Sequence, residues 1–298
     1  MLAYIYWNPS PVAFSLGPLQ IRWYGLLFAL PFVIGYFLMR DFYKKEKQAF
    51  TYLDTLLTYV VLGAIIGARL GHCLFYEPEV YLRDPVRILK IWEGGLASHG
   101  GALGVILALW LYSCKTHQSF WWTTDRVAIL VGMAGASIRL GNVMNSEIIG
   151  KPTDLPWAFI FARVDKIPRH PTQLYESLAY LLIFFLMLYL YHRFLYKNRI
   201  IPPGYFVGLF LILVFTVRFF IEFLKEPQVG FEQNLLLNMG QLLSIPFIIF
   251  GLWLVLRKHK TVANKIQSSR YSILLIQLQK VCRYGQERHH QSSKKNVQ

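Results

Sequence analysis

The chain is poor in acid. Its 298 residues hold 16 Asp and Glu against 31 Lys and Arg, and charged residues of both signs make up only 16% of it. A soluble protein devotes about a quarter of its residues to charge, so this surface is not built for water on all sides. Cysteine is equally scarce. Cys73, Cys114 and Cys282 are widely spaced and form no C-x-x-C, which excludes a disulfide framework and a cysteine-built metal site. Residues 1–21 contain no Lys or Arg, so no cleavable signal peptide is expected at the start. No P-loop, G-x-S-x-G or H-E-x-x-H segment occurs, leaving nucleotide, serine-hydrolase and zinc chemistry without support. No metal and no cofactor are expected, and no repeat of fixed period is visible.

What the chain has in abundance is apolar surface: 55% of residues are hydrophobic and 16% aromatic. A spanning helix needs roughly 20 mostly apolar residues. Seven stretches qualify, at about 21–40, 52–75, 96–114, 123–144, 172–194, 203–224 and 235–256. The expected fold is therefore all-α, a multi-pass integral membrane bundle of about seven transmembrane helices. Gly63, Gly67 and Gly71 form a small-residue ridge for close helix contact, and Gly132, Gly135 and Ala136 suit the same use. Trp7 and the Trp121–Trp122 pair read as interfacial belt residues.

Charge placement orients the bundle. With the N-terminus outside, inner segments carry Arg40, Lys44, Lys45, Lys47, Lys115, Arg193, Lys197 and Arg199 together with the strongly basic tail. The positive-inside rule then favours N-out and C-in. A transmembrane domain over residues 1–257 is followed by a basic cytoplasmic tail over 258–298. Residues 257–298 hold ten Lys and Arg against one acid, Glu287. Such a tail suits an anionic membrane surface rather than nucleic acid. Within it, Tyr271 to Tyr284 has the mixture expected of an interfacial amphipathic helix.

Polar side chains inside the spans are costly, so each one needs a reason. In this topology Arg69, His99, Arg139, Asn142, Asn145, Glu147, Gln173, Tyr175, Glu176, Arg218, Glu222, Asn238 and Gln241 all fall at the outer ends of their helices. The inner halves read as far more apolar. Arg139 and Asn142, three apart, share a helix face, and Arg218 and Glu222 have the spacing of an ion pair. Taken singly, Arg69 reads as a snorkelling residue and Tyr24 as a belt residue, while His99 is equally a satisfied core histidine. Their convergence at one depth points instead to a site. The arginine fork matches phosphate, and a histidine accepts a proton at neutral pH. The residues alone thus suggest an enzyme acting on an anionic phospholipid headgroup. A lipid or solute transporter is the second reading and a non-catalytic scaffold the third. A transporter needs polar groups near the midplane or along a whole path.

The segments carrying these residues resemble a known family. Ile21-Arg-Trp-Tyr-Gly25, Gly67-Ala-Arg-Leu-Gly-His-Cys-Leu-Phe-Tyr76 and Trp92-Glu-Gly-Gly-Leu-Ala-Ser-His-Gly-Gly-Ala-Leu-Gly104 come first. Arg139-Leu-Gly-Asn-Val-Met-Asn-Ser-Glu-Ile-Ile-Gly150, Arg169-His-Pro-Thr-Gln-Leu-Tyr-Glu176, Arg218-Phe-Phe-Ile-Glu222 and Met239-Gly-Gln-Leu-Leu-Ser-Ile-Pro246 follow. In this order they are similar to the prolipoprotein diacylglyceryl transferase family over residues about 20 to 250. The tail beyond about 258 is not covered. The resemblance implies a membrane transferase that moves the diacylglyceryl group of phosphatidylglycerol to the lipobox cysteine of a prolipoprotein. A thioether forms and glycerol phosphate leaves, in the first step of lipoprotein maturation. It also implies a bacterial plasma (inner) membrane location, with the site near the outer face, and residues 1–257 as the catalytic domain.

By resemblance, Arg139 and Arg218 hold the lipid phosphate and the leaving group, and His99 is the candidate base. Asn142, Glu147 and Gly150 shape the headgroup site, Tyr24 matches a family tyrosine, and Glu222 orients Arg218. Asn145, Arg69, Gln173 and Tyr175 converge at the same depth and are expected to line the substrate site with them. Two positions depart from the pattern. Val214 stands where many members have tyrosine, and Lys225 where arginine is common; a lysine lacks the bidentate fork.

Overall fold

The computed structural model describes residues 4–17, 19–90, 95–226 and 237–257. The basic tail and its expected amphipathic helix lie outside the described residues. Seven long helices are present: α1 (Trp23–Lys45), α2 (Thr51–Phe75), α4 (Ser98–Thr116), α5 (Phe120–Asn145), α6 (Thr172–Tyr196), α7 (Tyr205–Ile221) and α8 (Met239–Leu256). A short α3 (Pro78–Arg83) and a 3-10 turn at Pro85–Leu89 follow α2. Five short strands depart from the all-helical expectation. β1 (Ile5–Trp7) pairs in parallel with β4 (Phe159–Phe161), which also pairs with β5 (Pro168–Arg169), and β2 (Val12–Leu16) forms a hairpin with β3 (Leu19–Arg22). The first span accordingly starts at Trp23, because Leu19–Arg22 is spent on the hairpin.

Six of the helices are long and apolar enough to cross a membrane: α1, α2, α5, α6, α8, and α7 extended to Leu224. The exception, α4, is 19 residues long but opens on the polar, glycine-rich Ser98-His-Gly-Gly. Strand pairing supplies what composition withholds. β1 precedes α1, β4 follows α5, and the two strands lie side by side. Only an even number of crossings brings the chain back to its starting side. With α1, α2 and α5 crossing, α4 must cross as well. The structure thus holds a seven-span bundle.

The glycine ridge does what its spacing predicts. A Cβ on Gly63, Gly67 or Gly71 of α2 would overlap the backbone of Gly100 or Gly104 of α4. The two helices therefore touch main chain to main chain, and no other residue type fits between them. The apolar core lies between α1, α2, α4, α5, α6 and α7, with Phe42, Tyr43, Tyr112, Ile129, Met187, Tyr191 and Phe206 fully covered.

One expectation is corrected at the end of the bundle remote from Arg139. That end is not simply apolar. Glu46, just past α1, takes Arg126 at 2.6 and 2.9 Å, the Trp122 indole N–H at 2.7 Å and the Tyr191 hydroxyl at 2.7 Å. Nearby, Asp125 accepts the backbone N–H groups of Gly204 (2.8 Å) and Val207 (3.1 Å) and so caps the start of α7. Arg126 and Asp125 look like isolated charges in the sequence because their partners lie about 80 residues away.

Candidate active site

The site is built where α5 ends, α6 begins and the chain leaves α7. Helix α5 is closed by Ser146 in the left-handed region (φ 57°), and Ile148 repeats that conformation (φ 56°). Two non-glycine residues with positive φ within three positions are strained and are held by their surroundings. They fold the chain back so that the Glu147 N–H reaches the Asn142 carbonyl at 2.9 Å. Arg163 locks this turn by donating to the Met144 carbonyl and to the Ser146 hydroxyl.

The turn creates a relay of side chains. Arg139 Nη1 donates to Asn142 Oδ1 at 3.1 Å, and Asn142 Nδ2 donates to Glu147 Oε2 at 2.9 Å. Asn145 Nδ2 takes the other Glu147 oxygen at 3.0 Å. Gln173, fully buried at the start of α6, donates to the Glu147 backbone carbonyl at 2.6 Å. Tyr24 lies with its ring against Gly141 and close enough to feel the charges of Glu147 and Arg139. Five expected residues of the signature region and its neighbours, Arg139, Asn142, Asn145, Glu147 and Gln173, thus meet as one hydrogen-bonded unit, and Tyr24 stands beside them.

On its other side Arg139 faces Glu176, which has no exposed surface. Arg139 Nε lies 2.6 Å from Glu176 Oε2, yet the N–H does not point along the line to that oxygen, so the contact is an ion pair without a hydrogen bond. Glu176 Oε1 takes Lys225 Nζ at 2.9 Å and the Tyr180 hydroxyl at 3.3 Å. Lys225 Nζ continues to Glu222 Oε2 at 3.1 Å. The main chain of Lys225 is fixed as well, bridged to Gly150, with Lys151 N–H on the Leu224 carbonyl at 2.8 Å. Gly150 has no room for a side chain, since a Cβ there would lie 2.6 Å from His170 Cβ and 2.8 Å from Thr172.

Several expectations need correction. Arg218 does not pair with Glu222. Glu222 is taken by Lys225, and Arg218 Nε is buried with no hydrogen-bond partner among the described residues. The i,i+4 spacing is right for a pair, but α7 ends at Ile221 and the following 3-10 turn turns Glu222 toward Lys225. Arg69 neither snorkels nor faces the cluster. It is buried and donates to the carbonyls of Ile88 (3.0 Å), Gly95 (3.3 Å), Arg87 (2.5 Å) and Lys90 (3.2 Å), with Tyr81 under its guanidinium. Its role is to tie the segment after α2 to the bundle. Tyr175 receives the Trp157 indole N–H at 2.9 Å and lies 3.4 Å from His170 Nδ1, away from the relay. His99 is exposed in the first turn of α4 and bonds to none of these residues.

A second ion cluster braces the loop above the relay. Arg169 holds Asp165 at 2.6 and 2.9 Å, Glu226 at 2.8 Å and the Gly150 carbonyl at 3.2 Å. The Arg169 guanidinium holds the Asp165 carboxyl below the usual carboxylate range, and burial lowers the His170 imidazole from its ordinary value. Glu176 and Lys225 are the members of this cluster that the sequence-based site did not include. The signal available was an acid buried in a span's first turn, which has to find a cation.

Arg139, Asn142, Glu147 and Gly150 are thus one constructed unit rather than scattered polar residues. The prolipoprotein diacylglyceryl transferase family model matches residues 11–257. The chain belongs to this family. Its relatives include the phosphatidylglycerol–prolipoprotein diacylglyceryl transferases of Tolumonas auensis and Chloroherpeton thalassium. The first is 49% identical over 261 residues, 87% of this chain and 100% of the relative. The second is 49% identical over 260 residues, 87% and 96% of the respective chains. That of Bacteroides fragilis is 46% identical over 265 residues, covering 85% of this chain and 95% of the relative. In this family member the two departures have structural settings. Val214 packs against the apolar core, and Lys225 sits 3% exposed between two carboxylates.

Proposed function

We propose that the chain transfers the diacylglyceryl group of phosphatidylglycerol to the lipobox cysteine of a prolipoprotein at the outer face of the bacterial inner membrane. The observation that carries this reading is a pair of arginines with donors to spare. Among the described residues, Arg139 is held through Nε and Nη1 while Nη2 bonds to nothing, and the buried Arg218 Nε has no hydrogen-bond partner. Unsatisfied guanidinium donors at a membrane protein's polar end suit a phosphate.

In the transfer, the thiolate sulfur attacks the glycerol carbon that carries the phosphate ester. The C–S bond forms, the C–O bond breaks, and glycerol phosphate leaves with the electron pair. The departing phosphate gains negative charge as the bond breaks, so guanidinium groups stabilise the transition state more than the ground state. A cysteine thiol with pKa about 8.5 is only a few per cent ionised at neutral pH, and a base speeds its loss of the proton. His99, open to its surroundings in the first turn of α4, is the candidate acceptor. Asn142 and Glu147 hold Arg139 in register, and Tyr24 lines the same end.

A transporter reading gains no support from the other end of the bundle. The polar groups described there bond to one another, with both Glu46 oxygens engaged. The test is purified protein in detergent with phosphatidylglycerol and a lipobox peptide. Release of glycerol phosphate, coupled to a diacylglyceryl mass gain on the peptide cysteine, is the expected result. Lipid binding without either signal would overturn the transferase reading in favour of lipid transport.

A further inference from the structure

Arg139 lies beside a carboxylate that has every reason to neutralise it. Glu176 is fully buried, and its Oε2 approaches Arg139 Nε to 2.6 Å. A buried carboxylate facing a single cation forms a closed pair, and an incoming phosphate would have to compete with it. The structure gives Glu176 a second cation. Lys225 Nζ lies 2.9 Å from Oε1, is itself 3% exposed, and is placed by its main-chain bridge to Gly150 rather than by a free side chain. Lys225 also satisfies Glu222 at 3.1 Å. The charges of Arg139 and Lys225 balance those of Glu176 and Glu222, and Arg218, which has no ion pair among the described residues, matches the remaining carboxylate of the relay, Glu147.

We propose that Lys225 is a positioning residue for lipid binding: by sharing Glu176 with Arg139 it leaves Arg139 free to hold an anionic headgroup. This rests on the phosphate-binding role given to Arg139 above. Lys225 need not touch the lipid. Its task is to hold a point charge between two acids, which an ammonium does as well as a guanidinium. That accounts for a lysine at a position where arginine is common: the fork has no second function here. Without the Lys225 charge, the whole of Glu176 falls on Arg139, and Glu222 is left as a bare acid near Arg218. Both changes weaken the hold on phosphate.

The experiment measures glycerol phosphate release against phosphatidylglycerol concentration for four proteins: unaltered, Lys225→Arg, Lys225→Met and the double variant Glu176→Gln/Lys225→Met. Lys225→Arg is expected to keep its KM. Lys225→Met is expected to raise KM roughly tenfold, the scale of one charge contact near a protein surface, with a smaller change in kcat. Removing Glu176 as well is expected to bring KM most of the way back, because the competing carboxylate is gone. A purely structural lysine predicts the reverse, since the double variant loses more bonds than the single one. An active Lys225→Met protein with unchanged KM overturns the proposal, as does a double variant whose KM stays raised. If Lys225→Met does not fold, the double variant alone decides on the same criterion. Absence of release by the unaltered protein overturns the transferase reading instead. In that case phosphatidylglycerol binding to the same four proteins, read by native mass spectrometry, tests the charge-sharing by the same order of affinities.

Discussion

Gly150 and Lys225 meet main chain to main chain in an isolated antiparallel bridge, which joins the loop after α5 to the end of α7. On its other side Gly150 has no space, since an added Cβ would meet His170 and Thr172 at 2.6 and 2.8 Å. Gly150→Ala is expected to cost about 1–3 kcal/mol through this overlap. It should lower activity further by shifting Lys225 away from its two acids. Thermal unfolding in detergent and the release assay, run on the same preparation, check the two effects. A variant with unchanged melting and full activity would show that the bridge is not needed.

Arg139→Ala is expected to abolish transfer while the protein still inserts into the membrane. Loss of one preorganised charge at a reacting phosphate costs on the order of 100- to 1,000-fold in rate. Arg139→Lys should recover little of this, because an ammonium cannot face Glu176, Asn142 and the lipid together. Normal thioether formation by Arg139→Ala would remove the phosphate clamp from the mechanism.

His99→Gln is expected to slow the chemical step and leave phosphatidylglycerol binding intact, since His99 is exposed and bonds to none of the relay residues. A single-turnover measurement with lipid prebound separates the two. General-base assistance is worth about 100- to 10,000-fold. An unchanged single-turnover rate takes His99 out of the proton-accepting role.

Acid should open the loop above the site late. The Asp165 carboxyl is held below the usual carboxylate range by Arg169. A group whose folded pKa is depressed stabilises the protein fully above its unfolded value of about 3.9, and that contribution is lost as pH falls through the folded value. Melting temperature measured against pH should therefore decline more gently through this window for Asp165→Asn than for the unaltered protein. Identical profiles would mean that the Asp165–Arg169 pair does not couple to folding.

Six of the seven helices are apolar enough for hydropathy alone to report the cost of leaving a backbone unpaired in lipid, while α4, with its polar start, needs the strand pairing as well. The small-residue ridge of α2 is legible for a similar reason, since its spacing admits only close contact. What spacing cannot report is which cation an acid chooses. Glu222 is four residues from Arg218 and three from Lys225, and the 3-10 turn after Ile221 decides for Lys225. The position of Arg69 late in its span suits snorkelling, yet its partners are carbonyls about 20 residues away that no side-chain pattern announces. The Glu46–Arg126 pair was invisible for the same reason. The relay from Arg139 to Glu147 was half legible. Its residue types were clear, but its closure depends on Ser146 and Ile148 adopting a left-handed backbone, which neither residue favours on its own.

The pairing of Ile5–Trp7 with Phe159–Phe161 sets a timetable for biosynthesis. The first strand leaves the ribosome about 150 residues before its partner, and at roughly 5–20 residues per second it waits on the order of ten seconds. Four helices must be inserted in that interval before the hydrogen bonds of Ile5–Trp7 and the indole bond from Trp7 to Val143 can form. The start of the chain thus settles only after α5 has been made. Because Trp7 donates to the Val143 carbonyl, next to Asn142, the arriving first strand then braces the end of α5 that carries the relay.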